Sequence, residues 1–431
     1  MLQKCNIFVI IMKKSKKCYI ISLVMKMEEN NKMSLFERCE IYFSLVEDPR
    51  NQSYIIYNLK HILYMVICGM ICGAKNLEEI VEILEVKISV LKKYIEVETI
   101  PCLATFSNIL SILNPERIEL CIFSICNNIL NSSLILGESE IEEVKELTSN
   151  EPIEVSIDGK SIRSTNNHGD PEKALQIVTA YDINNRIPLA QREIEDKTNE
   201  ITAGRELLKL FDLTNAIITA DAIHSQKETV KEIHRLGGDC IIQLKENQKN
   251  LYEDIKLLFD DKIADKQSKG EYLEYKETEK NGGRIETRIC YVFQGLESYN
   301  FLKDKLKDWV GIKNIFCIKR IIEEKGRKSV ENSYYLTSLN ETAEKLMKYA
   351  RNHWKIESMH WILDIIFKED DCPVKSKKTQ RILNALRKMA IKIHVNYIEK
   401  ANPKRKTIAS SVRRCLMDND TLEDVLEMCF K

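Results

Sequence analysis

Ile153-Glu154-Val155-Ser156-Ile157-Asp158-Gly159 is a short run of alternating character that ends on a carboxylate, and its reading governs the rest of the chain. Ala216-Ile217-Ile218-Thr219-Ala220-Asp221-Ala222 repeats the device: an apolar strand, an aspartate, then a small residue. A third acid, Glu357, stands among large hydrophobes in His353-Trp354-Lys355-Ile356-Glu357-Ser358-Met359-His360-Trp361, which reads as helix. Acids at the ends of buried strands cost desolvation energy unless a cation meets them. A divalent metal suits them, because hard cations take oxygen ligands. Taken singly, each aspartate is better explained by capping the next turn, and Glu357 by a solvated helix face. Acids delivered together by two strands and a helix instead describe a two-metal phosphoryl-transfer site, which points to an enzyme acting on nucleic acid.

Working outward, Leu175–Tyr181 and Ile187–Gln191 alternate as strands, with Asn184-Asn185 as the turn between them. A helix around 199–211 leads to the Asp221 strand, a second over 225–236 ends at Gly237-Gly238, and Cys240–Leu244 is the next strand. Antiparallel strands followed by β-α-β units predict a mixed sheet with flanking helices, an α/β plan of RNase H-like type. The Glu357 helix is expected to begin near Asn340. Upstream, Leu59–Ile67 reads as a buried helix, and Asn76 as the N-cap of the amphipathic helix that follows it. The expected organisation is a disordered or mis-started leader over 1–33, a small all-α domain over 34–136 and an acidic linker over 137–152. The catalytic domain follows over 153–398, with a β-rich insertion at about 265–338, and a basic C-terminal tail occupies 399–431.

A chain of 431 residues, 44% hydrophobic and 30% charged, can bury a large core and reads as globular. Its formal net charge is zero, but from Cys372 to Arg414 thirteen Lys or Arg face one acid, Glu399. On a helix, Ile382, Leu386, Met389, Ile393 and Tyr397 form a buried stripe, while Arg381, Arg387, Lys388 and Lys392 lie off it. That predicts a cationic face for a DNA backbone, a solvated face being the ordinary alternative. The 14 cysteines show no Cys-x-x-Cys spacing, which favours free thiols in a reducing cytoplasm over a disulfide or zinc framework. The apolar runs before residue 33 are too short to span a bilayer.

Two polar clusters follow strands, Lys197-Thr198-Asn199-Glu200 and Lys245-Glu246-Asn247-Gln248. Phosphate and sugar contacts explain them as well as solvated turns with a helix cap at Thr198 or Asn199. His224 and Gln226 lie just beyond Asp221, placed to orient a water or phosphate, although a lone histidine is more often structural. His353, Glu357, Trp361 and Asp364 fall on one helical stripe.

These blocks, in this order, resemble the DDE transposases of bacterial insertion sequences, specifically the H-repeat-associated group found with Rhs elements. The resemblance runs from about Phe43 to Lys392. It is carried by Asp48-Pro49-Arg50, Gly73-Ala74-Lys75-Asn76, Ile157-Asp158-Gly159-Lys160, Lys197-Thr198-Asn199-Glu200-Ile201, Thr219-Ala220-Asp221-Ala222 and Leu244-Lys245-Glu246-Asn247-Gln248. It closes on Tyr335-Leu336-Thr337-Ser338-Leu339 and on His353-Trp354-Lys355-Ile356-Glu357 through Asp370. It implies that Asp158, Asp221 and Glu357 bind two Mg²⁺, with Mn²⁺ able to substitute. Water, then a DNA 3′-hydroxyl, would attack phosphodiesters in line. The implied partners are double-stranded DNA, as terminal inverted repeats and target, and a second copy in a homodimeric synapse, in the cytoplasm on the nucleoid. The residues expected to contact DNA or support the acids are Lys160, Asn199, His224, Gln226, Lys245, Asn247, Gln248, His353, Asp364, Arg381, Arg387 and Lys388. The chain departs from related transposases, which place Tyr, Arg and Lys where it has Ala350, His353 and Asp364, and polar residues where it has Cys102-Leu103-Ala104. A metal-dependent nuclease without strand transfer and an inactive DNA-binding relic are the alternatives. A glycosidase is disfavoured by an aromatic content of 7%.

Overall fold

The structure is a computed structural model that describes residues 34–128, 152–166, 174–195, 199–264, 272–294, 296 and 300–429. The leader, all but the last residue of the acidic linker, and Lys197-Thr198 lie outside the described residues.

Six helices come first: α1 (Leu35–Phe43), α2 (Leu59–Ile71), α3 (Leu77–Val86), α4 (Ile88–Leu91), α5 (Leu103–Ile112) and α6 (Pro115–Asn128). Ser34 opens α1 with a capping box to Glu37, and Asn76 caps α3 by accepting from the Glu79 N–H. α2 is buried on nearly every side, as its run of hydrophobes requires.

The sheet follows: β1 (Ile153–Ile162), β2 (Leu175–Asp182), β3 (Ile187–Glu193), then α7 (Glu200–Leu208), β4 (Ala216–Ala220), α8 (Lys227–Arg235), β5 (Asp239–Leu244) and α9 (Lys249–Ala264). Four long strands extend it, β6 (Leu273–Asn281), β7 (Arg284–Phe293), β8 (Asn314–Glu324) and β9 (Arg327–Thr337), with α10 (Asn300–Leu306) between β7 and β8. The order is β3-β2-β1-β4-β5-β9-β8-β7-β6 in one nine-stranded sheet. β1 runs antiparallel to β2 and parallel to β4, β4 is parallel to β5, and β5 is antiparallel to β9. The mixed α/β plan read from the sequence is therefore present. The β-rich segment continues the same sheet past β5.

After the sheet come α11 (Ala343–Asn352), α12 (Trp354–Ile365), α13 (Lys377–Ala401), α14 (Ile408–Met417) and α15 (Asn419–Met428). The helix expected to begin near Asn340 is two: Thr342 caps α11, and the chain turns at His353 into α12. Residues 399–431, read above as a basic tail, contain α14 and α15. Their buried Val412, Cys415, Leu422, Val425 and Leu426 belong to the same apolar core as α1–α6.

α13 corrects the reading of the basic helix. From Thr379 to Tyr397 every residue of α13 is buried, the cations included. Arg381 grips Glu119 of α6 through two hydrogen bonds of 2.9 and 2.8 Å and reaches Glu193 of β3 at 3.1 Å. Arg387, fully buried, pairs with the equally buried Glu369 at 3.2 Å and donates to the Lys75 carbonyl. Lys388 donates to Thr179 and Gln191, and Lys392 to the Asn185 carbonyl. Arg381, Arg387 and Lys388 thus tie α13 to α6, the sheet and the loop after α12, and none of them faces solvent. A helix with neighbours all round buries even its polar side, and such charges survive only where each finds a partner. None of the described helices is long and apolar enough to cross a membrane.

Candidate active site

Strand register brings the two aspartates together. β1 and β4 are parallel, and Ile157 pairs with Ala220. Asp158 and Asp221 are thus the next residues in register. Asp221 stands just past the carboxyl end of β4, where open α/β sheets present functional groups. Asp158 lies within β1, which runs on to Ile162 paired with β2 instead of ending at the aspartate as the sequence suggested. Asp221 begins a short 3₁₀ turn over Ala222–His224, yet its side chain makes no capping hydrogen bond. The turn-capping explanation therefore does not account for it. Asp158 accepts from the Gly159 N–H at 2.9 Å.

α12 packs against β1, and His353 at its N-terminal boundary, with Glu357 and His360 on it, faces the two aspartates. His353 Nε2 lies 3.5 Å from Asp221 Oδ1, and its Nδ1 lies 3.1 Å from Thr219 Oγ1. Thr219 in turn meets Ser156 of β1 at 2.7 Å, which anchors the imidazole to both strands. His360 Nδ1 stands 3.3 Å from Asp158 Oδ2. Each aspartate therefore faces one imidazole, and Glu357 lies between the two on the same helix. Its spacing of four from His353 and three from His360 keeps all three on one side. Trp361, on the same stripe, is 59% exposed and takes no part in the core.

The electrostatics follow from the closeness of the trio. Burial, followed by the charges of Asp221 and Asp158, pushes the Glu357 carboxyl above its ordinary value, with His353 and His360 opposing. The close approach of the His353 imidazole holds Asp221 below the usual carboxylate range against the opposing effect of burial. Lys245 and His224 add to that lowering. Among the described residues, no three His, Cys, Asp or Glu side chains are gathered tightly enough to hold a metal ion, the two aspartates being turned onto their histidines. The donor chemistry nevertheless suits a hard cation: the charges of Asp221 and Asp158 weigh against that of Glu357, a repulsion that a hard cation with oxygen ligands would relieve.

The remaining expected residues divide into groups. Lys160 donates to Asp364 at 2.6 Å, with Glu369 and Asp370 behind it at 3.7 and 3.9 Å, and so clamps β1 to α12 and the loop after it. Asn247 and Gln248 donate to the carbonyls of Ala222 and Ser225 and brace the turn after Asp221. Asn199 caps α7 by accepting from the Thr202 N–H, which decides between its two readings. Gln226 borders an open cavity of about 410 Å³ with Asn199, Arg205 and Gln248. His224 is 1% exposed, with Nε2 3.3 Å from Glu200 Oε1, and its backbone N–H closes the turn onto the Asp221 carbonyl, the structural role a lone histidine more often takes. Two neighbours of the acids were missed. His360 carried a signal, since it lies three residues past Glu357 on the same face. Glu200 stood inside a quoted cluster, but nothing in its local sequence set it apart from a solvated helix start.

A mixed sheet with one aspartate within β1, another just past the neighbouring β4 and a glutamate on a covering helix is the arrangement to which the sequence blocks point. The family described as Transposase DDE domain matches residues 149–393, and one described as DDE_Tnp_1-associated matches residues 41–125. The chain belongs to the DDE transposase family. Among its relatives is the "H repeat-associated putative transposase YhhI" of Escherichia coli (strain K12), 29% identical over 397 residues that make up 89% of this chain and 96% of that protein. YncI of Escherichia coli O157:H7, also named as a transposase, is 29% identical over 395 residues, 90% of this chain and 94% of that protein. A piggyBac transposase in a synaptic complex with hairpin DNA aligns over 91% of this chain and 77% of its own length. At 10% identity and a TM-score of 0.38 it is too distant to bear on fold or site.

Proposed function

We propose that this chain is the transposase of a bacterial insertion sequence, cutting phosphodiester bonds at the element's ends and joining the 3′-hydroxyl ends to target DNA. The observation that carries the reading is the register that sets Asp158, within β1, beside Asp221, just past the end of β4, with Glu357 within electrostatic reach of both. The strand order β3-β2-β1-β4-β5, with only β2 reversed among its three central strands, supports an RNase H-like catalytic core.

In this reading Asp158, Asp221 and Glu357 hold two Mg²⁺, or Mn²⁺ in its place. Bound there, the metals would stabilise the attacking and leaving oxygens of an in-line displacement. His353 and His360 hold the aspartates in place and stand where a departing proton could be received. Asn247 and Gln248 keep the Asp221 turn rigid, so its carboxylate needs little reorganisation. Lys245, exposed beside Asp221, offers a cation to the DNA backbone. The partner is double-stranded DNA, and two copies of the chain hold the two ends in a synapse.

The test uses purified full-length chain, Mg²⁺ and a labelled DNA fragment holding its own gene and flanks. Breaks leaving 3′-hydroxyls at both flanks, joined products, and their loss in Asp221→Asn with DNA binding kept, are the expected result. Cleavage by Asp221→Asn at the wild-type rate would overturn the site. Breaks without joined products would reduce the activity to that of a nuclease.

A further inference from the structure

Behind the two aspartates lies a pair that the acid centre does not use. Glu200, the first residue of α7, lays its carboxylate directly on Gly159, the residue after Asp158. A methyl group there would stand 2.5 Å from Glu200 Cδ and 2.6 and 2.8 Å from its two oxygens. The same carboxylate lies 3.3 Å from His224 Nε2. His224 is buried, and its backbone N–H closes the turn onto the Asp221 carbonyl at 3.0 Å. One helical turn beyond Glu200, Gly204 leaves the space for the imidazole, since a methyl there would stand 2.7 Å from His224 Cε1. α7 thus presents on one face a carboxylate and a notch, at i and i+4. The carboxylate fixes the backbone after Asp158, and the notch seats the histidine that ends the turn after Asp221.

We propose that Glu200 is a positioning residue that acts through Gly159 and His224 to set the spacing of Asp158 and Asp221. The inference rests on the acid-centre reading above. The Glu200 carboxylate fills the space that a β-carbon at Gly159 would take, and the His224 imidazole fills the space that one at Gly204 would take, so α7 packs against the backbone after each aspartate. Both small residues are required by close approach, because Gly159 and Gly204 each have a side-chain atom where Cβ would be. A carboxylate that only solvated the start of α7 would need neither.

The experiment is an Mn²⁺ titration of the full chain by calorimetry, with urea unfolding as the control for folding and Mn²⁺-dependent nicking kinetics alongside. Glu200→Ala and Gly159→Ala are each expected to weaken Mn²⁺ binding at least tenfold and to lower kcat with KM for DNA unchanged. In the Glu200→Ala background, Gly159→Ala is expected to cost nothing further, since the atoms it would strike are gone. Wild-type Mn²⁺ affinity in Glu200→Ala would overturn the proposal. So would losses that multiply in the double variant, which would make the two positions independent. Asp221→Asn separates the two levels: if it too leaves Mn²⁺ binding intact, or if the wild type binds none, the acid centre itself is misassigned and the role of Glu200 falls with it.

Discussion

Replacing Arg381 by Met tests whether the cations of α13 are interior struts or a DNA-binding face. Arg381 is 8% exposed and Glu119, its bidentate partner, 4%. Glu119 also accepts from Gln191 at 2.9 Å, so the guanidinium joins α13 to α6 and β3 at one buried point. Removing one member of a buried pair leaves the other's charge uncompensated, at a cost of about 3–5 kcal/mol. Removing both with apolar residues of similar volume is commonly near neutral. Arg381→Met should therefore lower the urea unfolding free energy by about 3–5 kcal/mol, and Arg381→Met/Glu119→Met should recover most of that loss. Measured in parallel, the salt dependence of DNA binding should be unchanged, because no phosphate contact is lost. The reasoning is refuted if Arg381→Met unfolds at the wild-type urea concentration while the slope of log K against log salt drops by about 0.9, the signature of one phosphate contact.

Two further outcomes follow from the same interior. Burial lowers the Lys388 amine to about 7 and the Lys392 amine to about 8, whereas an unfolded chain keeps both near the ordinary lysine value of about 10.4. Between those limits the unfolded state binds more protons, so stability should rise from pH 7 towards pH 10 and be lost as pH falls back through 8 and 7. Urea titrations across that range should show the rise, and Lys388→Met should flatten it. A wild-type stability that falls from pH 7 to 10 would contradict the buried, neutral amines. Gly73 closes α2 at φ +89°, and a side chain there would run into Val412 of α14. Gly73→Ala should cost at least about 1 kcal/mol from backbone strain alone. Val412→Ala should lessen the penalty in a thermal melt, and an unchanged melting temperature in Gly73→Ala would count against the packing of α14 on α2.

The sequence by itself determined the local periodicities and the chemistry they carry. An alternating run ending in Asp158 and an apolar one ending in Asp221 marked two strands, although β1 continues past Asp158 to Ile162. The Asn184-Asn185 turn fell between β2 and β3, and Asn76 capped α3 as its side chain predicts. Helical spacing placed His353 and Glu357 on one face and, had it been followed three residues further, would have included His360. Tertiary structure alone decided what lay around each element. Arg381, Arg387 and Lys388 sit on a helix whose amphipathic pattern predicts a wet side, and only packing against α6, the sheet and the loop after α12 makes that side an interior. Glu200 and His224 are 24 residues apart, with nothing local to pair them. Their meeting over Gly159 and Gly204 depends on α7 packing against β1, β2 and β3 and against the turn after β4. Periodicity reports which face of an element is apolar, but it cannot report how many neighbours that element has. Burial of charge, and the pairs that make it tolerable, are set by those neighbours.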